Sequence, residues 1–185
     1  MDLLINRTRI FVESGEYTSH EVDALIHPTN TLLWFSSAFS EILKRLGGET
    51  LEREAISLGP IEVGQAVATA PGRLNCRMVI HTAAWGQDMM TSAKKIRQAV
   101  SAALELASRN NCLSVALPPV GVGRFPAAAA VEATFLSLIE HCVHETAVRE
   151  IHFLAPDRSL EAVLTQLIRS AQAAIPDEPP EDQVE

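Results

Sequence analysis

The chain has 185 residues, of which 47% are hydrophobic and 21% charged, and its formal net charge is -8. No apolar run approaches the roughly 18 residues that a membrane helix needs, and the first residues lack the apolar core of a secretory signal. These features exclude a membrane-spanning or membrane-bound protein and predict a cytoplasmic one, in which the three cysteines stay reduced.

Much of the net charge comes from the end of the chain. Asp and Glu supply five negative charges in the segment 176–185, without one compensating base. The rest of the chain is mildly acidic and carries no basic stripe, so we expect no duplex nucleic acid as a partner, because phosphate contacts dominate that affinity. The proline-rich, acidic composition of 176–185 predicts a disordered tail, and residues 1–175 fit one domain.

Two strands and two helices are predicted in the first third of the chain. The segments 9–14 (RIFVES) and 22–28 (VDALIHP) are apolar or alternating over strand lengths, and turn-forming residues separate them. Helices are predicted from about Ser37 to Leu46 and from about Thr50 to Leu58, because a Gly-Gly pair and a Gly-Pro pair end them.

Strands and helices alternate in the rest of the chain. The predicted elements are, in order, two strands joined by a turn (63–70 and 77–85), a helix (91–110), a strand (114–120), a helix (127–145), a strand (151–156) and a helix (159–174). This alternation, with near-continuously apolar strands, predicts a largely parallel sheet covered on both faces, which is a three-layer α/β/α domain. Ligands of such sheets bind outside the carboxyl ends of the strands. Two strand-to-helix junctions qualify, residues 27–39 and residues 118–126.

The second junction, PPVGVGRFP, combines glycines with a basic and an aromatic residue. Gly121 and Gly123 permit backbone conformations and close approaches that a side chain would forbid, and a helix begins just beyond them, where its amides suit an anion such as a diphosphate. Arg124 could clamp phosphate oxygens. Phe125 could stack on a ribose or a base, or could anchor the loop in the core. The alternative is that the two glycines only form a tight turn.

Other motifs of nucleotide-binding and catalytic proteins are missing from the sequence. The third glycine of a dinucleotide fingerprint, the Walker lysine, the G-x-S-x-G elbow and the CxxC pair are all absent. His141 and His144 share a helix face, but no carboxylate completes a metal-binding spacing. We therefore expect neither a metal nor a cofactor.

Three segments carry a resemblance to a known family. VDALIHPTN is similar to VDAIVNAAN, the stretch from GGETLEREAISLGP to RMVIHTAAW is similar to a GG…GP…GEAV…YVIH stretch, and LSVALPPVGVG is similar to SIAFPALGTG. In this order they resemble the macrodomain family, the ADP-ribose-binding α/β/α modules, from about Arg9 to Leu167. The resemblance implies a mixed, largely parallel sheet and a cleft for ADP-ribose or a related nucleotide.

The resemblance also implies site residues. Glu16 stands where the family places an acidic residue of its adenine pocket, and Asn30 matches the second asparagine of the NAAN pattern, which lies by the distal ribose. His27 replaces the first asparagine. The second phosphate loop corresponds to Gly121, Val122, Gly123, Arg124 and Phe125.

The first phosphate loop departs from the family pattern. The family's glycines fall on Ser36, Ser37 and Ala38, and the aspartate of members that hydrolyse ADP-ribosyl bonds falls on Ser40. Ser36 or Ser37 is a good N-cap, whose hydroxyl would occupy amides that a phosphate otherwise binds. Glu41 adds a negative charge that disfavours a nearby diphosphate. The resemblance therefore assigns Ser36 and Ser37 to the ligand loop but no catalytic residue.

Three functions follow as hypotheses. The leading one is a module that binds ADP-ribose or a related nucleotide, on its own or attached to a macromolecule, without catalysis. The second is an interaction scaffold whose cleft is plugged by Trp34, Phe35 or Phe39 and which could form homo-oligomers. The third is an ADP-ribosyl hydrolase that positions water with Asn30.

Overall fold

Seven strands form one sheet in the order β1-β2-β7-β6-β3-β5-β4. The computed structural model describes residues 1–14, 21–155 and 158–174. The strands are β1 (Asp2–Ile5), β2 (Thr8–Ser14), β3 (Val22–Asn30), β4 (Ala66–Thr69), β5 (Cys76–Trp85), β6 (Ser114–Leu117) and β7 (Glu150–Ala155). The helices are α1 (Ala38–Gly47), α2 (Glu49–Leu58), α3 (Ala93–Arg109), α4 (Ala127–Cys142) and α5 (Arg158–Ala174).

The sheet is parallel in its centre and antiparallel at both edges. Strands β2, β7, β6, β3 and β5 pair in parallel, whereas β1 pairs antiparallel with β2 and β4 antiparallel with β5. The predicted α/β class, with a mixed and largely parallel sheet, is therefore confirmed. The two strands predicted on either side of a turn are also confirmed, since β4 and β5 pair antiparallel as a hairpin.

The two faces of the sheet bury separate hydrophobic cores. Helices α3, α4 and α5 cover one face, with residues such as Ile96, Leu104 and Phe135 fully or almost fully buried. Helices α1 and α2 cover the other face, where Leu43 and Leu51 pack onto the sheet. This is the expected three-layer arrangement, because each helix buries one apolar stripe against the sheet.

Some predicted boundaries were wrong. The sequence did not predict β1, whose four residues follow the chain start and reverse at Asn6, where φ is 52°. Strand β6 ends at Leu117 rather than at residue 120, because Pro118 and Pro119 cannot donate to the ladder. Helix α4 ends at Cys142, three residues earlier than predicted.

None of the helices in the described ranges is long and apolar enough to cross a bilayer.

Candidate functional site

Two loops meet at the carboxyl edge of the sheet. The first loop, residues 31–37, joins β3 to α1, and the second loop, residues 118–126, joins β6 to α4. Strands β3 and β6 are parallel neighbours, so both loops leave the sheet at the same edge. The two predicted ligand junctions are thus neighbours, whereas Glu16 lies outside the described residues.

Asn30, at the end of β3, organises the first loop. Its side chain is only 5% exposed, and Oδ1 accepts hydrogen bonds from the backbone N–H of Leu32 at 2.9 Å and of Trp34 at 3.3 Å. The carbonyl oxygen is therefore occupied by the loop itself. The Asn30 amide nitrogen is the group that remains for a ligand, because it donates to none of the residues that the structure describes.

Ser37 is the N-cap of α1. Its Oγ accepts a hydrogen bond from the Ser40 backbone N–H at 3.1 Å, and Glu41 lies in the first helical turn. The prediction that Ser36 or Ser37 caps this helix is confirmed for Ser37, while Ser36 is exposed. One helix-terminal amide of the first loop is thus satisfied by the protein, and a carboxylate adds negative charge beside it.

A chain of side-chain hydrogen bonds runs inward from this cap. Ser37 Oγ lies 2.7 Å from Ser40 Oγ, which lies 2.7 Å from His27 Nε2. His27 Nδ1 lies 2.8 Å from His81 Nδ1, and His81 Nε2 lies 2.9 Å from Thr69 Oγ1. We call these five residues the serine–histidine chain. It links α1 to β3, β5 and β4.

The two histidines of this chain are held neutral. Burial lowers the pKa of His27 well below its ordinary value, with a smaller contribution from His81, and burial lowers the pKa of His81 to about 3. The Phe35 ring packs against both imidazoles, with centroids 4.5 Å from His27 and 5.8 Å from His81. The chain therefore crosses an apolar layer, where its hydrogen bonds are stronger than in water.

The second loop is a tight turn with unused amides. The Gly121 carbonyl accepts from the backbone N–H groups of Arg124 and Phe125, both at 3.0 Å, and φ is positive at Gly121 and Gly123. Among the described residues, the N–H groups of Gly121 and Val122 have no hydrogen-bond acceptor. Helix α4 also begins without a side-chain cap. In contrast to the capped first loop, this one has backbone N–H groups that no described residue accepts from, on buried Gly121 and on exposed Val122.

Arg124 is positioned by an aromatic residue. Its guanidinium carbon lies 4.8 Å from the ring centroid of Trp85, a residue that is 5% exposed and pairs with Asn30 across β5 and β3. This cation–π contact holds a positive charge at the carboxyl edge of the sheet. Trp85 Nε1 is a buried donor without a partner in the described ranges.

The aromatic residues of the two loops lie at different depths. Trp34 is 54% exposed, whereas Phe35 is buried on the histidine pair. Phe125 is partly buried and packs against the main core, which favours its interpretation as an anchor of the second loop. Of the three residues expected to plug the cleft, Phe35 fills space beneath the first loop.

His81, Thr69 and Trp85 were missed by the sequence analysis. All three lie in the hairpin of β4 and β5, which carries no ligand motif. One signal was present, since His27 and His81 each interrupt a strongly apolar strand. Their contact depends on the β3–β5 register, in which they are direct partners, and the sequence does not determine that register.

Comparison with known proteins identifies the family and the fold. A model of the Macro domain family matches residues 26–134, more than half of the chain. The chain belongs to the macro domain family. It is similar in fold to the Trypanosoma brucei macrodomain solved in complex with ADP-ribose, with a TM-score of 0.78 and 20% identity over 86% of this chain and 68% of that one.

Two relatives show how far the sequence similarity extends. An uncharacterized protein of Aquifex aeolicus is 39% identical over 115 residues, which is 62% of this macro domain and 70% of the relative. A protein of Citrobacter rodentium named O-acetyl-ADP-ribose deacetylase is 28% identical over 87% of this chain and 96% of its own length. In other curated relatives the matched region spans as little as 33% of the protein.

Proposed function

We propose that this macro domain binds ADP-ribose or a related nucleotide, and that the second loop is the main contact for the diphosphate. The observation that supports this most directly is the pair of unused amides at Gly121 and Val122, ahead of the uncapped start of α4. The first amides of α4, which begins at Ala127, attract anions through both hydrogen bonding and the helix dipole, and the Gly121 and Val122 amides add further hydrogen-bond donors ahead of it. Arg124 adds a full positive charge to them.

The first loop has a smaller part in this proposal. Ser37 satisfies one amide that a phosphate would otherwise bind, and Glu41 opposes negative charge nearby. Asn30 keeps its amide nitrogen for a ribose hydroxyl, and Ser36 is exposed at the loop surface. Since one loop contributes most of the phosphate contacts, we expect weaker binding than two open loops would provide.

The choice of ligand is supported by the family. The Trypanosoma brucei neighbour was solved with ADP-ribose, and another neighbour, from Oceanobacillus iheyensis, with ADP. Both are below 25% identity to this chain, so they support the fold and suggest which ligands to test.

The proposal is tested by calorimetric titration with ADP-ribose, ADP and AMP, alongside thermal unfolding. Saturation at about 100 times the dissociation constant should stabilise the protein by about 2.7 kcal/mol. Arg124→Ala should weaken the binding of ADP-ribose and ADP by about tenfold, because it removes a charge-assisted contact. The binding of AMP should be affected less.

Arg109→Ala is the matched control, since Arg109 is exposed at the end of α3 and should leave binding unchanged. No heat and no thermal shift with millimolar ADP-ribose would contradict the proposal. If Arg124→Ala and Arg109→Ala lost the same affinity for ADP-ribose, Arg124 would not be part of the binding site.

A further inference from the structure

Trp85 contacts both loops at the carboxyl edge of the sheet. Its carbonyl oxygen accepts a hydrogen bond from the backbone N–H of Thr31, in the first loop, at 3.1 Å. Its ring carries the guanidinium of Arg124, from the second loop, 4.8 Å from the centroid. This second contact joins the end of β5 to the loop after β6. Because β3 lies between these two strands, the contact crosses the end of β3, where Asn30 lies.

Three side chains at this crossing have N–H donors from which no described residue accepts. The donors are the amide nitrogen of Asn30, the indole nitrogen of Trp85 and the guanidinium of Arg124. Asn30 and Trp85 are each 5% exposed, and they are direct partners in the β3–β5 register. We call these three residues the donor cluster.

The donor cluster needs oxygen acceptors from outside the fold. Indole and guanidinium nitrogens only donate, and the side-chain oxygen of Asn30 is taken by the first loop, so the three residues offer no lone pair to one another. A buried N–H that has lost its hydrogen bonds to water and gained none in return is costly. A ligand rich in acceptor oxygens, such as a sugar, supplies what the cluster lacks.

Arg124 is the member of the donor cluster that can move. It is partly exposed, and no ion pair or hydrogen bond with the described residues holds its guanidinium. A guanidinium binds phosphate oxygens more strongly than it binds an aromatic ring at a surface. A diphosphate at the second loop therefore draws Arg124 away from the ring of Trp85 and opens that ring to the ligand.

The order of the strands decides which part of the ligand meets Trp85. Across the sheet the order is β2, β7, β6, β3, β5. Glu16, the expected adenine contact, follows β2 in the sequence, the second loop follows β6, and Asn30 ends β3. A nucleotide laid along this edge has its diphosphate at the second loop. The sugar beyond the diphosphate then lies between Asn30 and Trp85.

We propose that Trp85 is a specificity-determining residue of the nucleotide cleft, which distinguishes ADP-ribose from ADP by donating its indole N–H to an oxygen of the sugar beyond the diphosphate. The Asn30 amide donates to the same sugar, and Arg124 donates to the diphosphate. This inference rests on the proposed function, since it requires the diphosphate to lie at the second loop.

Calorimetric titration with ADP-ribose and ADP tests the role of this single N–H. The chain has two tryptophans, Trp34 and Trp85. In a Trp34→Phe background, Trp85 alone is therefore replaced when the protein is made with 3-benzothienylalanine, in which sulfur takes the place of the indole N–H and the ring shape is kept. The same background with ordinary tryptophan is the matched control. ADP-ribose should bind about tenfold more weakly, through loss of one hydrogen bond, and the affinity for ADP should stay within about twofold.

The stability of the free protein separates a ligand contact from a structural one. The Trp85 N–H has no acceptor among the described residues before a ligand binds, so its removal should leave the thermal unfolding midpoint unchanged or raise it. An N–H that holds the fold together would lower the midpoint when it is removed. Trp85→Phe removes the same N–H by mutation, and it should also weaken the binding of ADP-ribose more than that of ADP.

An unchanged affinity for ADP-ribose, an equal loss for ADP-ribose and ADP, or a lower unfolding midpoint of the benzothienylalanine protein would overturn the inference. In each of these cases the heat of ADP binding would still support a diphosphate site at the second loop, so the proposed function would stand. If neither nucleotide gave any heat with the matched control, the proposed function and this inference would both be contradicted.

Discussion

Gly121 and Gly123 have nearly the same backbone conformation, with φ of 87° and 84°, but different surroundings. A Cβ on Gly121 would lie 2.7 Å from Ile96 Cδ1 and 3.3 Å from Thr91 Cγ2, whereas a Cβ on Gly123 would meet nothing within 4 Å. Both positions need a conformation that side chains disfavour. At Gly121 the second loop also lies close to α3.

This difference predicts unequal costs for the same substitution. Gly123→Ala should lower the free energy of unfolding by about 1 kcal/mol, through backbone strain alone. Gly121→Ala should cost about 1 to 2 kcal/mol more, because Ile96 must move in a packed core. Urea unfolding of the two variants measures this, and equal losses would show that the contact with Ile96 is unimportant.

The residue scale also separates what the sequence could and could not predict. Gly121 and Gly123 were singled out because glycine permits backbone conformations that side chains forbid, whereas Asn30 was singled out because it matches an asparagine of the family pattern that the sequence resembles. The role of Ser37 as an N-cap followed from its position before a helix. His81 and Thr69 could not be found in this way, since each matters only through a partner in another strand.

At the scale of elements, the histidine pair joins β3 to β5 and predicts how stability depends on pH. The unfolded chain binds protons at histidine near pH 6.5, whereas burial lowers the pKa of both folded histidines, that of His81 to about 3. Between these values the unfolded state binds more protons, so stability falls as the pH is lowered from 7 towards 4. Each histidine contributes a slope of up to about 1.4 kcal/mol per pH unit.

His81→Gln tests this dependence. The variant should lose stability at pH 7, because the chain of hydrogen bonds is broken. Its stability should nevertheless change less with pH than that of the wild type, because one buried histidine no longer contributes to the slope. His144→Gln removes an exposed histidine that lies outside the serine–histidine chain, and it serves as the control. Urea unfolding at pH 7, 6 and 5 gives the slopes, and identical slopes for all three proteins would contradict the expectation.

Element boundaries were predicted where a single residue type determines them. The glycines after α1 and α2 and the serine before α1 placed both helices within one or two residues of their ends. Strand β1 was missed because four residues carry too little pattern, and its pairing with β2 depends on a reversal at Asn6. The early end of α4 likewise had no glycine or proline to mark it.

At the scale of the whole molecule, one sheet carries both hydrophobic cores. Residues from α1 to α5 pack on the same seven strands, so loss of the sheet removes both cores together. This arrangement, with the length of the chain, supports a single cooperative unit within residues 1–175.

Removal of residues 176–185 tests that division of the chain. The acidic and proline-rich composition of this segment predicts no contribution to a core, so its removal should change the free energy of unfolding by less than about 0.5 kcal/mol. Circular dichroism and tryptophan fluorescence should give one coincident urea transition, because Trp34 lies in the first loop and Trp85 in the sheet. Two separate transitions, or a marked loss of stability, would contradict the single-domain prediction.

The sequence by itself determined the α/β class, the alternation of elements, the two strand-to-helix junctions and the resemblance to macrodomains, because hydrophobic period, helix caps and glycine loops are local properties of the chain. Tertiary structure alone decided that His27 faces His81, that Ser40 connects this pair to Ser37, and that Arg124 packs on Trp85. Apart from the Ser37–Ser40 hydrogen bond, these contacts join residues that are 13 to 54 positions apart. They depend on strand order and register, which form only when the hydrophobic faces of the helices pack onto the sheet.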